Sequence, residues 1–187
     1  MADIINFLDE RINKTRFGIN GGAKYIYDNL SKGQTPIGTS SSTGSGKTTC
    51  IAQICAKLAL EKNKRGINTI ITIPQRNSAV NMCKYLNNGL PNELFGYFIH
   101  GENYIPKNCL VAFVTTGWGT AKILSDPNFK FETFVLDEAH ETNIDNSLLV
   151  FSLHQLIKLG RSFNLIISSA TIDQNDYIKL FPKLKWF

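Results

Sequence analysis

The run from Ser41 to Thr49 carries the residue types that bind phosphate, and it reads Ser-Ser-Thr-Gly-Ser-Gly-Lys-Thr-Thr. Its glycines have no Cβ, so backbone N–H groups can point inward at phosphate oxygens. Lys47 supplies a positive charge for the β- and γ-phosphates of a nucleotide, and Thr48 supplies a hydroxyl for Mg²⁺, which prefers oxygen ligands. The pattern predicts a site for ATP and Mg²⁺ formed by Thr43, Gly44, Ser45, Gly46, Lys47, Thr48 and Thr49.

One position departs from the usual phosphate-loop pattern, G-x-x-x-x-G-K-[ST]. Ser41 stands where that pattern begins with glycine. If this position requires a positive φ, the serine would cost about 1 kcal/mol or more. The alternative is a flexible Gly/Ser loop before an ordinary helix. A candidate strand before the loop and the Lys-Thr-Thr run after it favour the phosphate loop.

A second run, Phe134 to His140, is an apolar strand that ends in two acids. We expect Asp137 to hold Mg²⁺ directly or through water, as the corresponding acid does in phosphate-loop ATPases. Glu138 is suited to orient and polarise the attacking water. Taken alone, an Asp-Glu pair after a strand is usually a solvated loop, and a lone histidine such as His140 is usually structural. The phosphate loop earlier in the chain favours the catalytic interpretation for both acids and a coupling role for the histidine.

The elements that must position these residues alternate along the chain. Strands are predicted at 36–40, 68–73, 95–100, 110–115, 131–136 and 164–168. Helices are predicted at 4–14, 23–30, 48–62, 77–86, 121–125, 147–159 and 173–181, with a turn over 17–22. Continuous apolar strands separated by helices predict an α/β fold, a mostly parallel sheet with helices on both faces. Ligands of such sheets bind at the carboxyl ends of the strands. The phosphate loop and the two acids each follow the carboxyl end of a predicted strand.

Length and composition favour a single globular domain. The 187 residues are 43% hydrophobic and 19% charged, with a net charge of +5 that suits RNA or DNA as a partner, although many domains are mildly basic without binding either. The four cysteines form no C-x-x-C pair, so we expect reduced thiols and no structural metal. No signal peptide and no long apolar run are present, which predicts a soluble, intracellular protein with no membrane partner.

The two runs together resemble superfamily 2 helicases, and within them the DEAH/RHA-like group, over about residues 24–183. Residues 44–49 resemble motif I, Asp137 to His140 resemble motif II, and Ser169-Ala170-Thr171 resemble motif III. The resemblance implies a RecA-like phosphate-loop NTPase domain, the first of a helicase, over residues 1–187, with 1–22 as an N-terminal extension. It implies ATP hydrolysis through Lys47, Asp137, Glu138 and His140, and coupling of hydrolysis to nucleic-acid work through Ser169 and Thr171.

Weaker motifs fall in the order of the same family. Residues 72–76 resemble motif Ia, residues 95–100 resemble the family's Val-Gly-Tyr-x-Ile-Arg strand, and residues 114–117 resemble motif Ib. By resemblance, Arg76 and Thr115 would contact phosphates of a single strand of RNA or DNA, with RNA favoured. The residue that stacks on adenine in relatives falls at Lys84 or Tyr85, and the ring of Tyr85 could stack.

The departures from the family pattern favour a divergent member, such as a viral one. They are Gln75 in motif Ia, Thr116 in motif Ib and Thr142 after motif II. Family helicases also carry a second RecA-like domain with arginine fingers, which this chain does not contain, so we expect weak activity or none from the chain alone. Two alternatives stay open: a nucleotide-binding regulatory module without motor activity, and a phosphate-loop ATPase or kinase unrelated to helicases.

Overall fold

The chain is organised by parallel pairing of its β-strands. The computed structural model describes residues 1–42, 44–126, 128–141, 143–170 and 174–187, without the side chains of residues 174 and 175. The strands are β1 (Ile37–Ser40), β2 (Thr69–Ile73), β3 (Phe95–Ile99), β4 (Glu102–Tyr104), β5 (Val111–Thr115), β6 (Thr133–Leu136), β7 (Asn164–Ser169) and β8 (Lys185–Trp186). They form a sheet in the order β4-β3-β5-β2-β6-β7-β1-β8, in which the β3–β4 pair is antiparallel and the other pairs are parallel. The carboxyl ends of the parallel strands therefore lie along one edge.

Helices cover both faces of this sheet. They are α1 (Ala2–Lys14), α2 (Arg16–Ile19), α3 (Gly22–Ser31), α4 (Lys47–Glu61), α5 (Arg76–Asn87), α6 (Thr116–Ser125), α7 (Ile144–Lys158) and α8 (Gln174–Leu180). Buried side chains of α1 to α5 form one hydrophobic cluster with the sheet. Those of α6 and α7 form a second cluster on the opposite face, with Tyr177 of α8 packed against it. The predicted fold class, a mostly parallel sheet with helices on both faces, is confirmed.

The predicted turn over residues 17–22 is wrong in its first part, because α2 begins at Arg16. The Thr15 side chain caps this helix by accepting a hydrogen bond from the Gly18 N–H at 2.8 Å. The turn is confined to Asn20 and Gly21, and Gly21, with φ 87°, is the N-cap residue that precedes α3. The glycines at positions 18, 21 and 22 suggested a longer interruption between helices. The Thr15 cap and the burial of Phe17 stabilise α2 and shorten that interruption.

Three further differences concern short or glycine-containing elements. The strands β4 and β8 were not predicted, because three and two residues carry no period of their own. α6 begins at Thr116, five positions before the predicted start, since Gly117 and Gly119 obscure its helical spacing. β8 pairs with β1 at Gly38, where a Cβ would lie 2.4 Å from the Trp186 ring, so this position requires glycine.

The four cysteines lie in the core as free thiols, as predicted. Burial raises the pKa of each thiol, Cys50, Cys55, Cys83 and Cys109, to about 12. They remain protonated at neutral pH and pack as small apolar groups. Among the described helices, none is both long and apolar enough to cross a membrane.

Candidate active site

The phosphate loop lies between the carboxyl end of β1 and the first residue of α4, which is Lys47. Gly44 and Gly46 have positive φ values of 76° and 82°, which residues with a Cβ rarely adopt. Ser45 is buried within the loop, and the Thr49 hydroxyl donates to the Gly46 carbonyl at 2.8 Å. Thr43 lies outside the described residues. The backbone conformation and the start of a 15-residue helix are those that an anion site requires.

Ser41 fits this loop without the cost that a positive φ would bring. In the described part of the chain, the non-glycine residues with positive φ are Asn63 and Glu138, so Ser41 has an ordinary φ. Its hydroxyl shares a hydrogen bond with the Ser45 hydroxyl at 2.7 Å. Its carbonyl accepts a hydrogen bond from Lys47 Nζ at 2.7 Å. The serine therefore closes the loop through its side chain, which a glycine could not do.

The acid Asp137 meets the phosphate loop directly. Its side chain is buried, and its Oδ2 accepts a hydrogen bond from Thr48 Oγ1 at 2.6 Å. Oδ1 accepts from Ser168 Oγ at 2.7 Å. The structure thus brings together the two predicted magnesium ligands, which come from positions far apart in the sequence. A hydroxyl and a carboxylate at one point are the oxygen donors that Mg²⁺ prefers.

The electrostatics of Asp137 also fit a cation. Burial raises the pKa of this carboxyl, and the hydrogen bonds from Thr48 and Ser168 and the charge of Lys47 offset part of that rise. A carboxylate that has lost its water shell is costly unless positive charge compensates it. Lys47, itself buried, supplies one such charge, and a divalent cation would supply more.

Glu138 follows in an unusual backbone conformation. Its φ is 50°, in the left-handed region that a residue with a side chain seldom occupies, and such strain is common at functional sites. Burial is the main cause that raises the pKa of its carboxyl, followed by the neighbouring charge of Asp137, while Lys47 and His140 lower it. The Glu138 side chain is half-buried, and its Oε2 lies 3.4 Å from His140 Nδ1.

His140 links the acidic run to the end of β7. Its Nδ1 lies 3.1 Å from the Ser169 hydroxyl and 3.4 Å from Glu138 Oε2. The predicted coupling residue Ser169 is therefore in contact with His140, which in turn contacts Glu138. The other predicted coupling residue, Thr171, lies outside the described residues, as does Thr142.

Several residues that support this site were missed from the sequence. The Asn146 amide donates to the carbonyls of Ala139 and Glu141 at 3.3 and 2.8 Å, and the Tyr177 hydroxyl donates to the Ala139 carbonyl at 2.8 Å. Both side chains hold the turn that carries the acids. Ser168 directly precedes Ser169 at the end of a predicted strand, so its position signalled a site residue; Asn146 and Tyr177 carry no such signal.

The predicted nucleic-acid contacts lie farther along the same edge. Arg76 is the first residue of α5 and is exposed, and Thr115 is the last residue of β5. Thr115 pairs with Ile73 of β2, so Arg76 and Thr115 lie at the carboxyl ends of two neighbouring strands. Tyr85 lies nine residues after Arg76, about 13 Å along the helix. Tyr85 is 58% exposed, and the centroid of its ring lies 4.8 Å from Arg11 Cζ, so this ring contacts α1.

The sequence comparisons agree with this geometry. The sequence model of the DEAD/DEAH box helicase family matches residues 23–179, most of the chain. The chain belongs to the DEAD/DEAH box helicase family. Its motif II, Asp137-Glu138-Ala139-His140, is that of the DEAH group.

Named relatives of this DEAH-box domain come from distant organisms. It is 32% identical over 145 residues to the ATP-dependent RNA helicase HrpA of Escherichia coli, covering 74% of this chain and 11% of that protein. It is 34% identical over 151 residues to a putative ATP-dependent RNA helicase of Acanthamoeba polyphaga mimivirus, covering 75% of this chain and 21% of that protein. The chain thus spans a small part of the length of the curated relatives it matches.

A solved structure supports the same fold. The crystal structure of the Escherichia coli DEAH/RHA helicase HrpB aligns with 92% of this chain and 22% of its own, with a TM-score of 0.74 and 23% identity. At this identity the likeness shows the fold, a RecA-like domain.

Proposed function

We propose that this DEAH-box domain binds ATP with Mg²⁺ and, joined to a second RecA-like domain, hydrolyses the ATP to move along or unwind RNA. The observation that carries the proposal is the 2.6 Å contact between the Thr48 hydroxyl and the Asp137 carboxylate beside the buried Lys47. One residue comes from the phosphate loop and the other from the acidic strand. Their meeting at the carboxyl edge of the sheet supports one shared nucleotide site.

The phosphate loop would bind the triphosphate. Backbone N–H groups near Gly44 and Gly46, at the positive end of α4, would donate hydrogen bonds to the phosphate oxygens. Lys47 now donates to the Ser41 carbonyl and is poised to donate to β- and γ-phosphate oxygens instead. Thr48 and Asp137 would hold Mg²⁺, which neutralises charge that develops on the phosphates during transfer.

Glu138 and His140 would complete the chemistry. The Glu138 carboxylate is placed beside Asp137 and can accept a proton from the attacking water. Its raised pKa, caused mainly by burial, brings its basicity closer to neutral pH. The contact of His140 with Ser169 connects these acids to motif III, so a change at the nucleotide can reach the end of β7.

Nucleic acid would lie across Arg76 and Thr115. An exposed arginine at the first turn of α5 and a hydroxyl at the end of β5 suit two phosphates of one strand. Such contacts grip the backbone without reading bases, as a motor on varied sequence requires. RNA is favoured over DNA because the relatives named above are RNA helicases. The Tyr85 ring is proposed as the platform for adenine, beside Arg11.

We also propose that residues 1–187 act as a single RecA-like domain in which the extension 1–22 supports the phosphate loop. Ile4, Leu8 and Ile12 of α1 pack into the same core cluster as α4. The Phe17 N–H donates to the Ser45 carbonyl at 2.9 Å. The Thr15 side chain contacts Gly46 so closely that a Cβ there would lie 3.0 Å from it.

The test is nucleic-acid-stimulated ATP hydrolysis in a protein that joins this domain to a second RecA-like domain. The proposal predicts stimulation by single-stranded RNA that is lost in Lys47→Ala and in Glu138→Gln. Hydrolysis that is indifferent to RNA and DNA would favour an unrelated ATPase. Nucleotide binding without any hydrolysis in the two-domain protein would favour a regulatory module.

A further inference from the structure

The rings of Phe98 and Trp118 stack next to Thr115 without a role in the nucleotide site. Their centroids are 4.9 Å apart and their planes are 7° from parallel. Both side chains are half-buried, so each keeps some surface open. With Ile99, Gly101, Glu102 and Asn103 they line a groove of about 500 Å³. This is in the range of volumes that ligand sites occupy.

The sheet register places this groove beside the proposed strand path. Phe98 pairs with Val114, the residue before Thr115, so β3 and β5 end at the same level. Trp118 follows Thr115 by three residues, in the first turn of α6. The three edge positions Arg76, Thr115 and the groove therefore follow β2, β5 and β3 in spatial order. A strand held at the first two would reach the groove next.

The chemistry of the groove suits a base and disfavours a phosphate. Glu102 stands in its wall as an exposed carboxylate and accepts a hydrogen bond from the Tyr97 hydroxyl. That charge repels phosphate oxygens, whereas the N–H groups of a base can donate to it. Asn103 adds an amide that can donate and accept. The exposed parts of the Phe98 and Trp118 rings add an apolar aromatic surface, and bases of any sequence can stack on such a surface.

We propose that Phe98 and Trp118 form a stacking platform for one nucleobase of the single strand whose phosphates contact Arg76 and Thr115. The inference rests on the proposed nucleic-acid function and adds a base contact to it. The platform fixes the position of one nucleotide on the domain without selecting its identity, because every base has an aromatic face. Phosphates thus hold the strand at one point, and the base holds it at the next.

The two tryptophans of the chain make the test direct. Trp186 lies in β8, at the opposite edge of the sheet from β3 and β4, and packs against Gly38, so Trp186→Phe leaves Trp118 as the only tryptophan reporter. We expect a single-stranded oligouridylate RNA of about 12 nucleotides, at about 50 mM salt, to change the Trp118 emission as it binds. If Trp186→Phe does not fold, the emission difference between the original chain and Trp118→Phe reports the same ring.

Affinity for two probes separates a base contact from a phosphate contact. We expect the oligouridylate to bind about 5- to 150-fold more tightly than an abasic oligonucleotide of the same length. Trp118→Leu should lose most of this preference, whereas Trp118→Phe, which keeps a ring, should retain it. The dependence of affinity on salt should be the same in all three chains, because the phosphate contacts are unchanged.

Two results would overturn the inference while leaving the proposed function intact. One is an unchanged Trp118 emission and an unaltered affinity of Trp118→Leu while the RNA binds. The other is an equal loss of affinity for both probes in Trp118→Leu together with a lower thermal stability, which would mean that the ring only supports the fold. If neither the oligouridylate nor the abasic oligonucleotide binds, the proposed nucleic-acid function is overturned, and the platform with it.

Discussion

The carboxyl edge of the sheet has two halves that are built differently. The half proposed to bind the nucleotide, called the nucleotide half, lies at the ends of β1, β6 and β7 and buries its polar groups: Lys47 and Asp137 are each 5% exposed. The half proposed to bind the nucleic-acid strand, called the strand half, lies at the ends of β2, β5 and β3 and leaves Arg76 exposed and Thr115 half-buried. A site for a compact, highly charged phosphate group gains from fixed, desolvated donors. A surface on which a polymer must advance stays open.

The largest expected effect breaks the nucleotide half alone. Lys47→Ala removes the buried cation of the phosphate loop, so nucleotide affinity should collapse and ATP hydrolysis in the two-domain protein should fall by about 100-fold or more. RNA affinity without nucleotide should be unchanged. Calorimetric titration with ATP measures the nucleotide affinity, and a steady-state assay measures ATP hydrolysis. Lys62→Ala, at an exposed position, is the matched control. Hydrolysis at the original rate in Lys47→Ala would refute the assignment.

Glu138→Gln separates binding from chemistry within the same half. The amide keeps the shape of the side chain but cannot accept the proton of water, so kcat should fall by about 10²–10⁴-fold while ATP still binds. Single-turnover hydrolysis measured beside ATP affinity tests this. Glu141→Gln, in the same turn, is the control and should keep its rate. An equal loss of rate in both variants would point to a structural effect on the turn.

Arg76→Ala addresses the strand half. RNA affinity should weaken for all sequences alike, and the slope of log affinity against log salt should decrease by about one ion. ATP affinity should not change, because the guanidinium lies outside the nucleotide half. Fluorescence anisotropy at several salt concentrations measures the slope, with Arg65→Ala as an exposed control. A loss of ATP binding in Arg76→Ala would mean that the halves are not separable.

The smallest effect is a pH dependence of stability in the nucleotide-free chain. Because burial raises the pKa of Glu138 above that of the unfolded chain, its protonated form is favoured in the fold. The stability that it contributes is therefore full at low pH and is lost as pH rises through the folded pKa. Glu138→Gln should be the more stable chain at neutral pH, and the difference should shrink with acidification. Urea unfolding at several pH values tests this, and a difference that grows in acid would contradict it.

The sequence located the residues of the nucleotide half because their pattern is local, while their binding of ATP and Mg²⁺ stays a prediction. Gly44, Gly46 and Lys47 act within one short loop, and Asp137 ends an apolar strand, so the pattern alone located them. Ser41 was harder to judge, since its fit depends on a hydrogen bond with Ser45 that only the folded loop shows.

What the sequence did not predict depends on contacts between distant residues. Tyr177 and Asn146 hold the turn around Ala139, yet neither lies in a motif. Phe17 contacts the phosphate loop from α2, which the glycines near it concealed. For the strand half, Arg76 and Thr115 lie on one edge as expected, but their contacts with nucleic acid stay predictions.

The most direct test of the central claim is the effect of Mg²⁺ on ATP binding by this chain, measured by calorimetry. If Thr48 and Asp137 hold the ion together, ATP affinity should rise with Mg²⁺ in the original chain. In Thr48→Val and in Asp137→Asn that rise should disappear, while the affinity for ATP without Mg²⁺ is retained. A rise of the same size in both variants would contradict the account.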